Sequence, residues 1–304
     1  MVPERENILV IVGPTGVGKT ALAVEVASRA GFHVLSADSR QIYRLMDIGT
    51  AKPTPEEREK VPHYLIDLAW PNEHFSVADF QVAGKEKMSE LETRGIPFMI
   101  VGGSPFYLYA LMGSFFFPTV GADPQLRESL EREAQEKGSD FLHSRLKGID
   151  PVSASRIHPN DLKRIIRALE VWELTGRPLS SFTYRKTEVE GFRIVGLRME
   201  KEDLRRRLEK RTEEMFRRGL VEEVRTLLEK GYGPELIPMQ SIGYKEVIQF
   251  LSGTLTLEEA KRLIVKRSMQ FAKHQMTWFK RDQRIRWIDL KAFPDFEMLA
   301  KTLI

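Results

Sequence analysis

The sequence predicts an α/β fold, a parallel sheet flanked by helices that carries an all-helical insertion. Three observations predict it. An apolar run, Ile8–Val12, ends in a glycine-rich turn and is followed by an amphipathic pattern. Short apolar runs then alternate with helical patterns to about residue 112, as a parallel sheet with helical crossovers requires. From about Phe117 to Gly191 only helical patterns remain, after which strand and helix signals return.

Composition bounds the function. The 304 residues suffice for one large or two smaller domains, and 42% hydrophobic with 30% charged residues is the balance of a soluble globular protein. No apolar run approaches the ~20 residues of a membrane span. The opening MVPERENILV mixes acidic with basic residues and does not read as a signal peptide. The absence of cysteine excludes disulfides and thiolate metal sites, and a cytoplasmic monomer is the expectation. A net charge of +4 and a pI of 9.1 permit a polyanionic partner without demanding one.

The first run and its turn, NILVIVGPTGVGKT, carry the most chemistry. Gly13, Gly18, Lys19 and Thr20 occupy the fixed places of G-x-x-x-x-G-K-[ST], with Thr15, Gly16 and Val17 between them. Glycines free the backbone N–H groups to line a concave loop for phosphate oxygens. Lys19 adds a mobile cation, and the Thr20 hydroxyl suits Mg²⁺. The helix expected over Lys19–Ala30 aims its positive end at the same phosphates. The core is therefore expected to be P-loop NTPase-like and to bind a di- or triphosphate, ATP among the candidates.

A second strand, His33–Ala37, leads into Asp38-Ser39-Arg40-Gln41. A carboxylate just past a strand's C-terminal end faces the edge where open α/β sheets bind ligands. Asp38 is thus a candidate general base, or a carboxylate that supports a bound metal's ligands; the alternative is an N-cap for a short helix over Ser39–Tyr43. Gly49–Pro55 reads as a turn-rich loop with Lys52 reaching toward the phosphates. Glu56–Lys60 is a solvated charge run, His63–Leu68 an edge strand, and Phe75–Arg94 an amphipathic helix capped by Ser76. Phe98–Val101 is a buried strand, and Phe106–Met112 a helix. Many P-loop ATPases end a strand with a magnesium-organising Asp. Here Phe98–Val101 ends in Gly102-Gly103-Ser104, which weakens a hydrolytic reading and strengthens one in which Asp38 acts.

In the insertion, Asp123 caps a helix to about Lys137, and further helices are expected near Asp140–Leu146, Val152–Ile157 and Asp161–Thr175. Its second half is basic around Lys163, Arg164 and Arg167; Arg164 and Arg167 share a helical face that suits either phosphate contact or plain solvation. Phe192–Met199 returns to the sheet. Lys201–Gly219 is an arginine-rich helix with Leu204, Leu208, Thr212 and Met215 as its apolar stripe. Gln240–Lys245 connects to a helix around Glu246–Leu251. Leu257–Phe279 is a long helix whose aromatics interleave with cations, as in nucleic-acid contacts or in an ordinary amphipathic helix. Ile285–Asp289 and Phe293–Ile304 complete the chain as strand and helix.

Taken in order, GPTGVGKT, SADSRQIY, GTAKPT, HYLIDL, FSVADF, VGGSPFYLYAL, RIHPNDLKRIIRALEV, QSIGYKE and QFAKHQMTWFKRD resemble the tRNA dimethylallyltransferases, the bacterial tRNA isopentenyltransferases. The resemblance covers nearly the whole chain. It implies transfer of a dimethylallyl group from dimethylallyl diphosphate to N6 of adenosine 37, in tRNAs reading codons that begin with U, with Mg²⁺. The glycine-rich loop would then hold the leaving diphosphate, helped by Arg211, and Asp38 would take the N6 proton. The family usually has Thr-Gly where this chain has Ser104-Pro105; Ser104 keeps a hydroxyl near the reacting centre. Asp38, Ser39, Arg40 and Gln41 would surround the flipped base. Arg127, Lys163, Arg164 and Arg167 of the insertion, with Gln240, Tyr244 and Lys245 of the core, would hold the anticodon stem-loop. The resemblance implies a catalytic core over 1–116 and 192–304, with a tRNA-binding insertion at 117–191. The alternatives are a P-loop small-molecule kinase, a prenyltransferase of free adenine nucleotides, and a non-catalytic RNA-binding module.

Overall fold

The computed structural model describes residues 8–113, 120–182, 191–293 and 295–304. The chain forms two compact units, one of Met1–Met112 with Val189–Ile304, the other Gly113–Glu188. The sequence boundary at 116/117, within the Phe115–Phe117 run, lies outside the described residues.

The larger unit is built on six parallel strands: β1 (Ile8–Val12), β2 (His33–Ala37), β3 (His63–Tyr64), β4 (Phe98–Gly102), β5 (Phe192–Arg198) and β6 (Arg286–Asp289), in spatial order β3-β2-β4-β1-β5-β6. The inner strands read as continuous apolar runs because helices cover both faces. The helices are numbered along the chain, starting with α1 (Lys19–Ala30), α2 (Pro55–Lys60), α3 (Val77–Thr93) and α4 (Pro105–Leu111). Ser76 and Asp79 close a capping box at the start of α3, as the Ser76 assignment requires. Beneath α1, its Leu22, Ala23 and Val26 pack with Leu9, Ile11, Met99 and Val195 of the sheet.

The edge strand is shorter than the pattern suggests. Leu65 and Asp67 adopt left-handed backbone (φ 63° and 57°), which ends strand pairing after Tyr64. The charge run 56–60 is helical because Thr54 and Glu57 form a capping box at α2. No helix forms over Ser39–Tyr43; that segment is a turn.

The smaller unit holds α5 (Pro124–Lys137), α6 (Ser139–Ile149), α7 (Pro151–Ala154) and α8 (Leu162–Thr175), around Leu130, Leu142, Leu146, Ile165 and Leu169. Asp123 caps α5 and Asp161 caps α8. Its central polar feature is Glu170, fully buried. The carboxylate accepts from Arg127 at 2.7 and 2.9 Å, from Arg167 at 2.5 Å and from the Asp123 N–H at 2.8 Å. Arg167 also donates to the carbonyls of Val120 and Gly121. The larger unit is completed by α9 (Lys201–Arg217), α10 (Leu220–Glu229), α11 (Tyr244–Leu251), α12 (Leu257–Phe279) and α13 (Phe296–Lys301). No described helix is long and apolar enough to cross a membrane.

Burial pushes the Glu170 carboxyl up, but hydrogen bonds from Arg127 and Arg167 outweigh it and hold it below the usual glutamate range. A depressed carboxyl pKa stabilises the fold above the unfolded-state value and loses that contribution as pH falls through the folded value. Glu170→Ala strands two arginines that remain about a third exposed, at 39% and 32%. Solvent screens them in part, so the expected destabilisation is about 2 kcal/mol. Urea unfolding of the two proteins at pH 7 measures it; the difference should shrink in acid.

Candidate active site

Strand register assembles the site. Val12 of β1 and Ala37 of β2 are both paired with Gly102 of β4. One residue further along the three neighbouring strands come Gly13, Gly103 and Asp38. They share the carboxyl edge of the sheet, where backbone groups no longer pair and ligands bind. A cavity of about 1170 Å³ opens there, lined by Thr15, Gly16, Gly18, Lys19, Thr20, Asp38, Gly103, Arg211 and Gln275, all of the larger unit.

The loop between β1 and α1 takes the form its glycines permit. Gly16 and Gly18 sit at φ 80° and 102°, backbone that disfavours other residues. The Lys19 ammonium rests on the carbonyls of Gly13 and Pro14, each at 2.9 Å. Arg211, at the inner face of α9, donates to Thr15 Oγ1 at 3.2 Å. Burial, partly offset by Asp38 and reinforced by Arg211, pulls the Lys19 ammonium down to about 8. Burial also lowers the Arg211 guanidinium, and Asp38 opposes that shift. Two desolvated cations thus stand near one carboxylate, Asp38, in the cavity, an arrangement that favours an anionic ligand.

Asp38 does not cap a helix. Its Oδ1 accepts the Arg40 N–H at 2.8 Å, which tightens the turn after β2. Ser104 supports that turn: its hydroxyl accepts the Ser39 N–H at 3.1 Å and donates to Ser39 Oγ at 3.3 Å. The Ser104 hydroxyl makes no cap bond to α4, and Pro105 fills the helix's first turn, where a missing N–H is harmless. The Gly102-Gly103 pair that stands where a magnesium-organising Asp was sought also finds its reason. A Cβ on Gly103 would lie 2.6 Å from Gln275 Nε2 and 3.2 Å from Lys19 Nζ. The position is bare so that those two side chains can enter.

Gln275 escaped the sequence reading. It is 3% exposed, accepts the Thr15 N–H at 2.8 Å and donates to Gly103 O at 2.7 Å, joining the glycine-rich loop to the end of β4. A signal existed: Gln275 lies four residues from both Phe271 and Phe279, a polar residue on a helical stripe.

The other residues singled out by sequence divide by their surroundings. Lys52 does not reach the phosphate loop: its ammonium is bound by Tyr43 O, Asp47 and Asp67 at 2.5, 2.8 and 2.6 Å. Gln41 and Tyr244 are buried and bonded within the protein, and Arg127 and Arg167 spend their guanidinium groups on Glu170. Lys163 and Arg164 stand exposed on α8, with Arg164 near Asp161 at 3.4 Å, and Gln240 is exposed while donating to Pro234 O. Lys245 is half-buried in the first turn of α11.

For a metal, the fit rests on oxygen donors. Thr20 faces the cavity beside Asp38, and no cluster of three His, Cys, Asp or Glu occurs among the described residues. That donor set suits Mg²⁺ arriving on phosphate oxygens rather than a metal held by protein ligands alone.

Two outcomes follow for inorganic pyrophosphate. Arg211→Ala should weaken its binding by about 2 kcal/mol, roughly 30-fold, the value of a charge-assisted hydrogen bond. Because an anion restores the depressed Lys19 proton affinity, binding near pH 8 should take up a proton and weaken as pH rises further. Titration calorimetry in buffers of different ionisation enthalpy reads both.

The family model for IPP transferase matches residues 41–282. The tRNA dimethylallyltransferase of Carboxydothermus hydrogenoformans is 46% identical over 93% of this chain and 92% of its own length. That of Pelotomaculum thermopropionicum is 44% identical over 99% and 96%. Among solved structures, the full-length tRNA isopentenylpyrophosphate transferase of Bacillus halodurans superposes with TM-score 0.70 at 40% identity, covering 98% of this chain and 94% of that one. A eukaryotic dimethylallyltransferase acting on tRNA gives TM-score 0.79 at 26% identity, covering 93% and 74%. With identity at this level spread along the whole chain and the same fold beneath it, the chain belongs to the IPP transferase family, the tRNA dimethylallyltransferases.

Proposed function

We propose that this protein transfers a dimethylallyl group from dimethylallyl diphosphate to N6 of adenosine 37 in tRNAs reading codons that begin with U. The observation that carries the reading is the placement of a carboxylate, Asp38, across one cavity from a phosphate-type loop with two buried cations, Lys19 and Arg211. A kinase could use the same loop and base; membership of the IPP transferase family favours the allylic donor and an adenine acceptor.

In this reading the N6 nitrogen attacks the allylic carbon, the carbon–oxygen bond to diphosphate breaks, and the N6 proton passes to Asp38. The N–H groups of Gly16, Val17 and Gly18, with Lys19 and Arg211, receive the charge that grows on the departing diphosphate. Mg²⁺, bound through Thr20 and the phosphate oxygens, would neutralise part of that charge. Ser104 holds the Asp38 turn against β4 through Ser39, so the base meets the nitrogen in a fixed direction. The adenine leaves the anticodon-loop stack to reach the cavity, and a single-stranded loop makes that departure inexpensive. Lys163 and Arg164 are the insertion residues whose exposed side chains suit the RNA backbone; Arg127 and Arg167 act by shaping the helix that presents them.

The test is transfer of label from dimethylallyl diphosphate to an unmodified anticodon stem-loop carrying A37, beside free AMP. Label on the stem-loop alone supports the reading; label on AMP moves the acceptor to free nucleotides. Asp38→Ala should slow transfer by about 10²-fold or more while stem-loop binding persists. Parent-rate transfer by that variant refutes the base assignment.

A further inference from the structure

Glu223, in the first turn of α10, gathers four donors onto one carboxylate. Its Oε2 accepts the N–H groups of Asp47 and Ile48 at 3.1 and 2.7 Å; its Oε1 accepts the Gly49 N–H at 3.1 Å and the Tyr244 hydroxyl at 2.6 Å. Three consecutive backbone N–H groups converging on one anion form a nest, here filled by a side chain of the same protein. Tyr244 is fully buried, and burial with the Glu223 carboxylate raises its hydroxyl well above the usual tyrosine value, so it remains a donor. Its ring lies so close to Gly49 that an added Cβ would meet it at 2.4 Å.

The held segment continues into the wall of the cavity. Ile48, Thr50 and Ala51 line it. The carbonyls of Thr50 and Ala51 accept from Gln41 Nε2 at 3.4 and 3.0 Å, and Gln41 Oε1 accepts from Ser36 Oγ at 2.8 Å. Gln41 lies in the turn that follows Asp38. An unbroken hydrogen-bonded path therefore runs from α10 and α11 through residues 47–51 to the turn bearing Asp38. It bypasses the glycine-rich loop, which is bonded by Lys19, Arg207, Arg211 and Gln275.

We infer that Glu223 is a positioning residue for the transfer reaction, fixing the 47–51 wall and through Gln41 the aim of Asp38 at the acceptor. This rests on the transfer reading above. Tyr244 and its segment then matter to the acceptor side without touching it, through Glu223. The acceptor half of the site and the diphosphate half thus have separate supports.

Glu223→Gln keeps the shape but sets an amide N–H₂ against backbone N–H groups. The expected result is loss of hydrogen-exchange protection at the Asp47–Gly49 amides and a kcat about tenfold lower, with the KM for dimethylallyl diphosphate within about twofold of the parent. Tyr244→Phe, which keeps the ring and removes one donor, should lower kcat by about threefold in the same pattern. Parent-level kcat in Glu223→Gln overturns the inference, as does a loss confined to the donor KM. If Glu223→Gln fails to fold, the same two outcomes in Tyr244→Phe decide. A parent protein that modifies no stem-loop removes the transfer reading and this inference with it; a parent that transfers beside an unaffected variant removes only the inference.

Discussion

The shared line of β1, β4 and β2 is the constraint on which the site depends. Parallel pairing in one register leaves Gly13, Gly103 and Asp38 side by side where the sheet runs out of hydrogen-bond partners. A one-residue slip of β2 would turn Asp38 toward the opposite face, since side chains alternate along a strand. Three further side chains of the site are attached to that line: Lys19 through the turn after β1, Ser104 through the turn after β4, and Gln275 as the strut between those two turns.

Electrostatics then decides what the edge can hold. Burial makes the charges of Lys19 and Arg211 harder to keep, Arg211 adds to the effect on Lys19, and Asp38 offsets only part of this. In the proposed reaction an incoming diphosphate would relieve that tension, as would the extra negative charge that forms when its bond to carbon breaks.

Much of this was legible in the sequence because its causes are local. The loop 13–20, the helix over Lys19–Ala30, the capped helix after Ser76 and the helical grain of the insertion all follow from spacing, caps and periodicity within a few residues. What escaped depends on distant partners. Nothing near Lys52 says that Asp47 and Asp67 will enclose it, and nothing near Gly102-Gly103 says that the space belongs to Gln275, some 172 residues away. Arg127 and Arg167 look like RNA ligands in sequence because Glu170, which binds both, sits on a face whose burial only tertiary packing creates. The helix α10, with Glu223, was likewise missed: its amphipathic pattern is clear, but the reason for its carboxylate lies 176 residues earlier.

The central claim is that the glycine-rich loop holds a leaving group rather than a nucleotide. The most direct measurement is the stoichiometry of inorganic pyrophosphate released per modified adenine, with no nucleoside triphosphate present. One pyrophosphate per N6-dimethylallyl adenine, unchanged on adding ATP, is the predicted result. Modification that waits for ATP, or release of orthophosphate in its place, would contradict the account.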